Sequence, residues 1–224
     1  MSRASLDARS RGASRETYLE ISKIGVKFFI EEQDPLGLVE FIPVLHRWIQ
    51  NRALPDLLID VADYSHVNQG PGIVLLAYEG NYGIDEHRGR RGVVYYRKRR
   101  FSGGLSDCLA SVAALALLAC QRLEQEPGLA GRLRIRANEI RVFANDRLAA
   151  PNTDQTFETF SPGLEQLLGK LYPGDEFTLS CDPDPKERFS VTAVVTGPQS
   201  TTSLLDRLAS WGVHQDPMSP MPEA

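Results

Sequence analysis

The alternation of hydrophobic and polar positions predicts a series of short strands between residues 23 and 195. Runs rich in Val, Ile, Leu and Phe are typical of strands, and they occur at 23–31, 54–64, 71–80 and 93–100. The run at 54–64 is almost continuously apolar, which predicts a strand buried on both faces. Residues 132–148 predict one or two strands, because Leu and Ile alternate there with Arg. Residues 173–195 predict a terminal hairpin.

Apolar residues spaced three and four positions apart predict helices between these strands. One helical face is formed by Leu38, Phe41, Ile42, Leu45 and Ile49. Because Pro43 fits only in a first turn, this helix is expected to begin near Phe41. A second helix at about 105–125 is apolar nearly all round, so it is expected to be covered on more than one side. Ser161 and Pro162 predict the N-cap and the first position of a third helix.

These elements predict an α/β (α+β) fold with helices packed on one mixed sheet, in the chain order β-α-β-β-β-α-β-α-β-β. Residues 22–197 are assigned to a single domain. Residues 1–21 are polar and predict a disordered N-terminal tail. Residues 198–224 predict a C-terminal tail with a short amphipathic helix at 204–211. Two β-α-β-β halves can also be distinguished, at 23–80 and 139–196, which leaves an internal duplication open.

Composition predicts a cytoplasmic protein without a membrane segment. The 224 residues carry a formal net charge of −4, which argues against bulk nucleic-acid binding. Cys108, Cys120 and Cys181 form no CxxC pair, and so sparse a set of cysteines fits a reducing compartment. The N-terminus lacks the apolar region of a signal peptide, and the longest apolar run, 112–120, is too short to span a bilayer. The sequence predicts neither a metal nor a cofactor.

Asp60, Asp63 and His66 form the candidate catalytic group. Asp60 lies near the end of a predicted strand, where open α/β sheets bind their ligands. Carboxylates and an imidazole can act as acid and base or as metal ligands. On an extended strand Asp60 and Asp63 point to opposite faces, so they converge only if the chain turns between them. The alternative is that Asp63 or Ser65 hydrogen-bonds within its own turn.

A basic, tyrosine-containing segment at 88–100 is the candidate site for an anionic ligand or a nucleotide. Guanidinium groups bind phosphate and carboxylate as a fork, and tyrosine rings stack on bases. The predicted ligand-binding residues are Arg88, Arg90, Arg91, Tyr95, Arg97 and Arg99. Consecutive strand residues point to opposite faces, so this cluster is expected to divide between two surfaces. The alternative is that the arginines pair internally with Glu79, Asp85 and Glu86.

Two weaker signals complete the set of polar candidates. Ser102, Gly103 and Gly104 precede the predicted helix at 105–125, whose first amides can hold an anion. Residues 145–154 predict either a polar patch or a series of turns and caps. The sequence contains no GxGxxG, GxxxxGK[ST], GxSxG or HExxH motif, which leaves it without a recognised catalytic signature.

Several segments resemble a group of uncharacterised bacterial proteins. These segments are FIPVLHRWIQ, LLIDVADYSHV, GPGIVLLAYEGNYGID, RRGVVYYRKR and NDRLAAPNT, and the resemblance covers most of residues 24–195. It implies a bacterial, cytoplasmic origin. It implies no activity and no site residues, so the functional prediction depends on the residues themselves.

The sequence predicts a non-catalytic binding or assembly protein that holds an anionic partner at its arginine-rich hairpin. A homo-oligomer or a protein partner is expected to dock through the helix at 105–125 or the amphipathic helix at 204–211. The alternative is a hydrolase or lyase that uses Asp60, Asp63 and His66 on a small anionic substrate.

Overall fold

The computed structural model describes residues 23–32, 36–101 and 103–211, and these contain eight strands and four α-helices. The strands are β1 (Ile24–Glu32), β2 (Leu58–Tyr64), β3 (Gly72–Ala77), β4 (Gly80–Asp85), β5 (Gly92–Arg97), β6 (Leu133–Ala144), β7 (Phe177–Cys181) and β8 (Ser190–Val195). The helices are α1 (Phe41–Asn51), α2 (Leu105–Glu124), α3 (Asp154–Leu171) and α4 (Thr201–Ser210). The N-terminal tail predicted at 1–21 and the end of the C-terminal tail lie outside the described residues.

The described strands form one sheet in the order β2-β3-β4-β5-β1-β6-β8-β7. The helices pack against this sheet, which confirms the predicted α+β class. The prediction of a mixed sheet is wrong, because every strand pair is antiparallel. The sequence also predicts a loop where β4 lies. Asn81, Gly83 and Asp85 of β4 face away from the helices, so this strand lacks apolar side chains on that face.

The two faces of the sheet have different surroundings. On the central strand β1, Ile24, Val26 and Phe28 join the apolar sides of the helices in one core. Lys27 and Phe29 point to the opposite face, because successive strand residues alternate. We call this opposite side, which none of the described helices covers, the open face.

Helices α1 and α2 match their predictions. α1 begins at Phe41, with Pro43 in its first turn as expected. α2 packs against β1, β5 and β6 as well as against α3 and α4, which explains why it is apolar nearly all round. By length and hydropathy α2 could cross a membrane, but more than half of its apolar stretch is buried inside the protein. Its apolar character is that of a core helix.

Helix α3 begins earlier than the sequence predicts. Ser161 and Pro162 do not start it; Thr153 is the N-cap, and its hydroxyl accepts a hydrogen bond from the Thr156 amide at 3.3 Å. Pro162 lies inside the helix and is exposed, so water can solvate the carbonyl that lacks a backbone donor. The preference of proline for the first helical position is therefore misleading here.

Strand β2 and helix α4 occupy positions that the sequence does not predict. β2 is an edge strand and is not buried on both faces; Ile59 is 56% exposed. α4 confirms the helix expected at 204–211, but it belongs to the core, where Leu204 and Leu208 are buried. The apolar sides of α2 and α4, expected to dock a partner, are thus largely covered within the chain.

Candidate ligand-binding cleft

A row of cross-strand neighbours runs across the centre of the open face. Val74 of β3 is opposite Gly83, and Gly83 is opposite Val94 of β5. Val94 is in turn opposite Lys27, which is opposite Arg141 of β6. Because directly opposed residues share a face, this row is apolar on one side and cationic on the other.

The loop between β4 and β5 folds over the central strand on this face. The buried Lys27 ammonium donates to the Asp85 carboxylate and, at 2.6 Å, to the carbonyl of Arg90. The Arg90 guanidinium lies 3.8 Å from the ring centroid of Phe29 and donates to Glu139 at 2.7 Å. These contacts fix the loop over β1 and bury a charged pair in the sheet.

Asp182, in the turn between β7 and β8, connects the same loop to β6. Its buried carboxylate accepts hydrogen bonds from Arg88 at 3.1 Å and from Arg141 at 2.9 Å. Burial alone would raise the pKa of Asp182. The hydrogen bond from the Asp184 amide and the two guanidinium groups outweigh burial and lower it. Asp182 is therefore an ionised anchor between two loops.

These loops enclose a cleft of about 440 Å³ on the open face. Strands β3 to β6 supply its floor, and its walls come from the β2–β3, β4–β5 and β7–β8 loops and from the segment after β6. The lining residues are Gln69, Gly70, Pro71, Val74, Gly83, Asp85, His87, Val94, Tyr96, Phe143, Asn145, Arg147, Glu187 and Arg188. The cleft thus combines an apolar floor with a charged rim, as ligand sites commonly do.

Arg188 has an unusual environment in the wall of this cleft. Its guanidinium lies 3.8 Å from the ring centroid of Phe143, and Nη1 donates to the Asn145 side-chain oxygen at 3.2 Å. No carboxylate among the described residues forms an ion pair with it. Burial, which the nearby Asp85 only partly offsets, lowers the pKa of Arg188. Arg188 is therefore a partly desolvated cation without a direct counter-ion in the described chain.

Phe143 is held flat against the sheet beneath Arg188. Its ring covers Gly25 of β1, where an added Cβ would lie 2.1 Å from a ring atom. Gly25 is thus needed for this packing. The cation stacked on the ring is fixed by β1 and β6, which places it on the rigid part of the fold.

His87 completes the polar rim at the β4–β5 loop. It is half-buried, and burial together with the positive charges of Arg141 and Arg188 lowers its pKa. The imidazole is therefore mainly neutral near pH 7. A neutral imidazole can donate or accept one hydrogen bond at the rim.

The structure does not bring the six predicted ligand-binding residues of the hairpin together. Arg88 and Arg90 lie on the loop over the open face, while Tyr95 is fully buried in the core against Tyr82. The remaining three are placed elsewhere: Arg91 pairs with Glu86, Arg97 donates to Glu79 at 3.1 Å, and Arg99 stacks 3.7 Å from the ring centroid of Tyr78. The internal pairing considered as the alternative describes these arginines well.

The candidate catalytic group lies on the edge strand, outside the cleft. Asp60 and Asp63 point to opposite faces of β2, because Asp60 is opposite Leu76 and Asp63 is opposite Ile73. Asp63 accepts a hydrogen bond from the Ser65 amide at 2.8 Å, as in an Asx turn. All three candidate residues, His66 included, are exposed. Their catalytic role stays a prediction that no contact favours.

The other candidates also have structural roles. Asp146 accepts hydrogen bonds from two amides of its own turn, yet the neighbouring Asn145 and Arg147 line the cleft. Cys108 and Cys120 are buried in α2, and burial raises the pKa of Cys108 to about 11. Within the described ranges, no group of three or more His, Cys, Asp or Glu residues could hold a metal ion.

Sequence reasoning missed the central residue of this cleft. Arg188 follows the turn at 182–186 as one charged residue among several, and nothing in its neighbourhood marks it. Its partners, Phe143 at the end of β6 and Asn145 just after that strand, are brought to it through the β6–β8 pairing. Comparisons with protein-family models, curated proteins and solved structures found no match, so they assign this chain no family and this cleft no ligand.

Proposed function

We propose that the protein is a non-catalytic binding protein that holds a small organic anion in the cleft on its open face. The observation that carries this proposal is the environment of Arg188. A partly buried guanidinium without a carboxylate partner costs free energy, and a bound anion would offset this cost.

The geometry of Arg188 suits an incoming anion. Guanidinium has five N–H donors, and Arg188 uses one of them, toward Asn145, among the described residues. Stacking on Phe143 fixes the plane of the group. The remaining donors can therefore bind a carboxylate or phosphate in a fork geometry with little loss of side-chain freedom.

The arginine-rich hairpin supports this site through its structure. Arg88 and Arg90 hold the β4–β5 loop to β6 and to the β7–β8 turn through Glu139 and Asp182. Because ion pairs already fix this wall of the cleft, ligand binding does not have to order the β4–β5 loop. The anion is assigned to Arg188, with Arg147 beside it at the rim.

The test is isothermal titration calorimetry of the full chain with inorganic phosphate, benzoate, 3-phenylpropionate, indole-3-propionate and adenosine monophosphate. At least one organic anion is expected to bind, and Arg188→Gln is expected to weaken its binding by about tenfold or more, the effect of losing a charge-assisted hydrogen bond. Arg122→Gln is the matched control, because Arg122 is exposed on α2. The proposal fails if Arg188→Gln binds the same anions as tightly as the unmodified chain does.

A further inference from the structure

Two carboxylates line the same cleft as Arg188. Asp85 is 6% exposed; its Oδ1 accepts from Lys27, whereas its Oδ2 accepts no hydrogen bond from a described residue. The Glu187 carboxylate has neither a hydrogen bond nor an ion pair among the described residues. Both carboxylates act electrostatically on Arg188 and on His87. The cleft therefore presents unused acceptors beside its unpaired cation.

This mixture of charges discriminates between classes of anion. A ligand with negative charge alone would gain the contact with Arg188 but would lie near Glu187, whose charge has no direct partner among the described residues, and like charges oppose binding. A phosphate ester with two negative charges suffers most from this repulsion. A ligand that also carries an ammonium group satisfies the cation and the carboxylates together.

The floor of the cleft accommodates an apolar group. Gly83 lies between Val74 and Val94, and an added Cβ at position 83 would meet the Ile73 carbonyl at 3.1 Å and the Val74 Cα at 4.0 Å as its nearest atoms. Both of these atoms belong to the backbone of β3, so no described side chain lies within 4 Å of that Cβ position. An apolar ligand group placed there would be removed from water, which favours binding.

We infer that the ligand is a small amino acid-like zwitterion with an apolar side chain, an inference that rests on the proposed function. Its carboxylate binds Arg188, its ammonium group donates to Glu187 and Asp85, and its side chain lies on Gly83 between the two valines. Each group of the ligand then has a complementary group in the cleft.

The experiment uses three sets of matched compounds that share an apolar group. They are phenylalanine, 3-phenylpropionate and phenethylamine; tryptophan, indole-3-propionate and tryptamine; leucine, 4-methylpentanoate and 3-methylbutylamine. In at least one set the amino acid is expected to bind about tenfold more tightly than the acid without the ammonium group, because a charge-assisted hydrogen bond contributes about that factor. The amine without a carboxylate is expected not to bind.

Two variants connect the result to the assigned residues. Glu187→Gln is expected to reduce the advantage of the amino acid over the acid to less than about threefold, since the neutral amide keeps a hydrogen bond but loses the charge. Arg188→Gln is expected to weaken binding of both by about tenfold or more. Glu165→Gln on α3 is the matched control for Glu187, because Glu165 is exposed on the helical side of the protein.

The outcomes separate this inference from the proposed function. If in every set that binds the acid binds through Arg188 as tightly as its amino acid does, the zwitterion is excluded and the anion site stands. If the advantage of the amino acid survives in Glu187→Gln, the assignment of the ammonium group to Glu187 is wrong. If no acid and no amino acid of any set binds, both proposals are overturned.

Discussion

Arg141 and Arg188 both reach the open face, but their guanidinium groups have different partners. Arg141 donates to the Asp182 carboxylate at 2.9 Å and to the Ser190 hydroxyl at 2.8 Å. Arg188 has an aromatic ring and one carboxamide. Arginines that hold the fold are paired with carboxylates, and the arginine assigned to the ligand has no such partner in the described part of the chain.

Because Asp182 is paired with two arginines, the free energy of unfolding is expected to depend on its ionisation at acidic pH. Its folded-state pKa lies below the ordinary value of 3.8, so its carboxylate stabilises the fold above that pH, and this contribution is lost as the pH falls through the folded pKa. We expect Asp182→Asn to lower the free energy of unfolding at pH 7 by about 2–3 kcal/mol, the scale of hydrogen bonds to charged groups. The difference from the unmodified protein should shrink as the pH falls below the ordinary pKa of an aspartate, about 4, and through the lower folded-state pKa.

Urea unfolding at a series of pH values measures this effect. Asp206→Asn is the control, because Asp206 is exposed on α4 and should change the unfolding free energy by less than about 0.5 kcal/mol. A difference between Asp182→Asn and the unmodified protein that is independent of pH would contradict the assigned linkage.

At this scale the sequence identified the types of residue in the site better than their positions. The polar segment at 145–154 does contribute Asn145 and Arg147 to the cleft. The arginine hairpin was predicted as an anion site because seven basic residues lie within 88–100. Proximity in sequence does not show which carboxylates lie opposite, and Glu139 and Asp182, which pair with Arg90 and Arg88, are far along the chain.

Helix α3 lacks one backbone hydrogen-bond donor, because proline has no N–H group. Pro162 lies well inside the helix and cannot donate a hydrogen bond to the carbonyl one turn earlier. Its neighbour Ser161 donates its hydroxyl to the Phe157 carbonyl at 2.7 Å. The buried stripe of α3, which includes Phe160, Leu164 and Leu167, holds the helix together despite this gap.

Replacing this proline should therefore stabilise the protein. An interior proline costs a helix about 3 kcal/mol, partly offset because proline restricts the unfolded chain by about 0.4–1 kcal/mol. Because Pro162 is exposed, Pro162→Ala loses little packing and should raise the free energy of unfolding by about 1–2 kcal/mol. Thermal and urea unfolding measure the change.

Pro43→Ala provides the comparison within the same chain. Pro43 is also exposed, but it lies in the first turn of α1, where its missing donor has no intrahelical partner. This variant should be neutral or slightly less stable than the unmodified protein. A Pro162→Ala variant that is destabilised as much as Pro43→Ala or more would contradict this expectation.

Hydrophobic spacing predicted the elements that bury one regular stripe. α1, α2, β3 and β5 were predicted correctly, and most of their apolar residues face one core. β4 was missed because its open-face positions line a cleft and carry Asn, Gly and Asp. The position of β2 was wrong because an apolar run looks the same at the edge and at the centre of a sheet.

The helices and the sheet are joined into one body around α2. Glu124, at the end of α2, accepts from the Ile135 amide of β6 at 2.9 Å and from the Thr201 hydroxyl of α4 at 2.7 Å. α4 buries Leu204 and Leu208 completely or nearly so. The C-terminal helix is thus part of the cooperative core.

This position of α4 predicts the effect of shortening one of its side chains. Leu204 is 0% exposed, so Leu204→Ala should lower the free energy of unfolding by about 2–5 kcal/mol, as is typical for a cavity in a core. Leu148→Ala is the matched control, because Leu148 is 98% exposed and should change stability by less than about 0.5 kcal/mol. Equal urea midpoints for the two variants would show that α4 is not part of the folding unit.

The two β-α-β-β halves considered in the sequence analysis can be compared by the positions of their strands in the sheet. In each half, the strand after the helix lies at the outer edge, β2 on one side and β7 on the other, and its hairpin partner lies inside it. β4 and β5 separate β3 from β1, whereas β8 pairs directly with β6. An internal duplication stays a prediction. Strand pairing of this kind depends on long-range register, which local spacing does not encode.

The central position of β1 also has a consequence for synthesis on the ribosome. Residue 24 pairs with residue 144, so a strand made early must wait for a partner made much later. At roughly 10 residues per second this delay is about ten seconds. During that time the nascent chain can form the hairpins of β2 to β5, but the two sides of the sheet can join only after β6 has emerged.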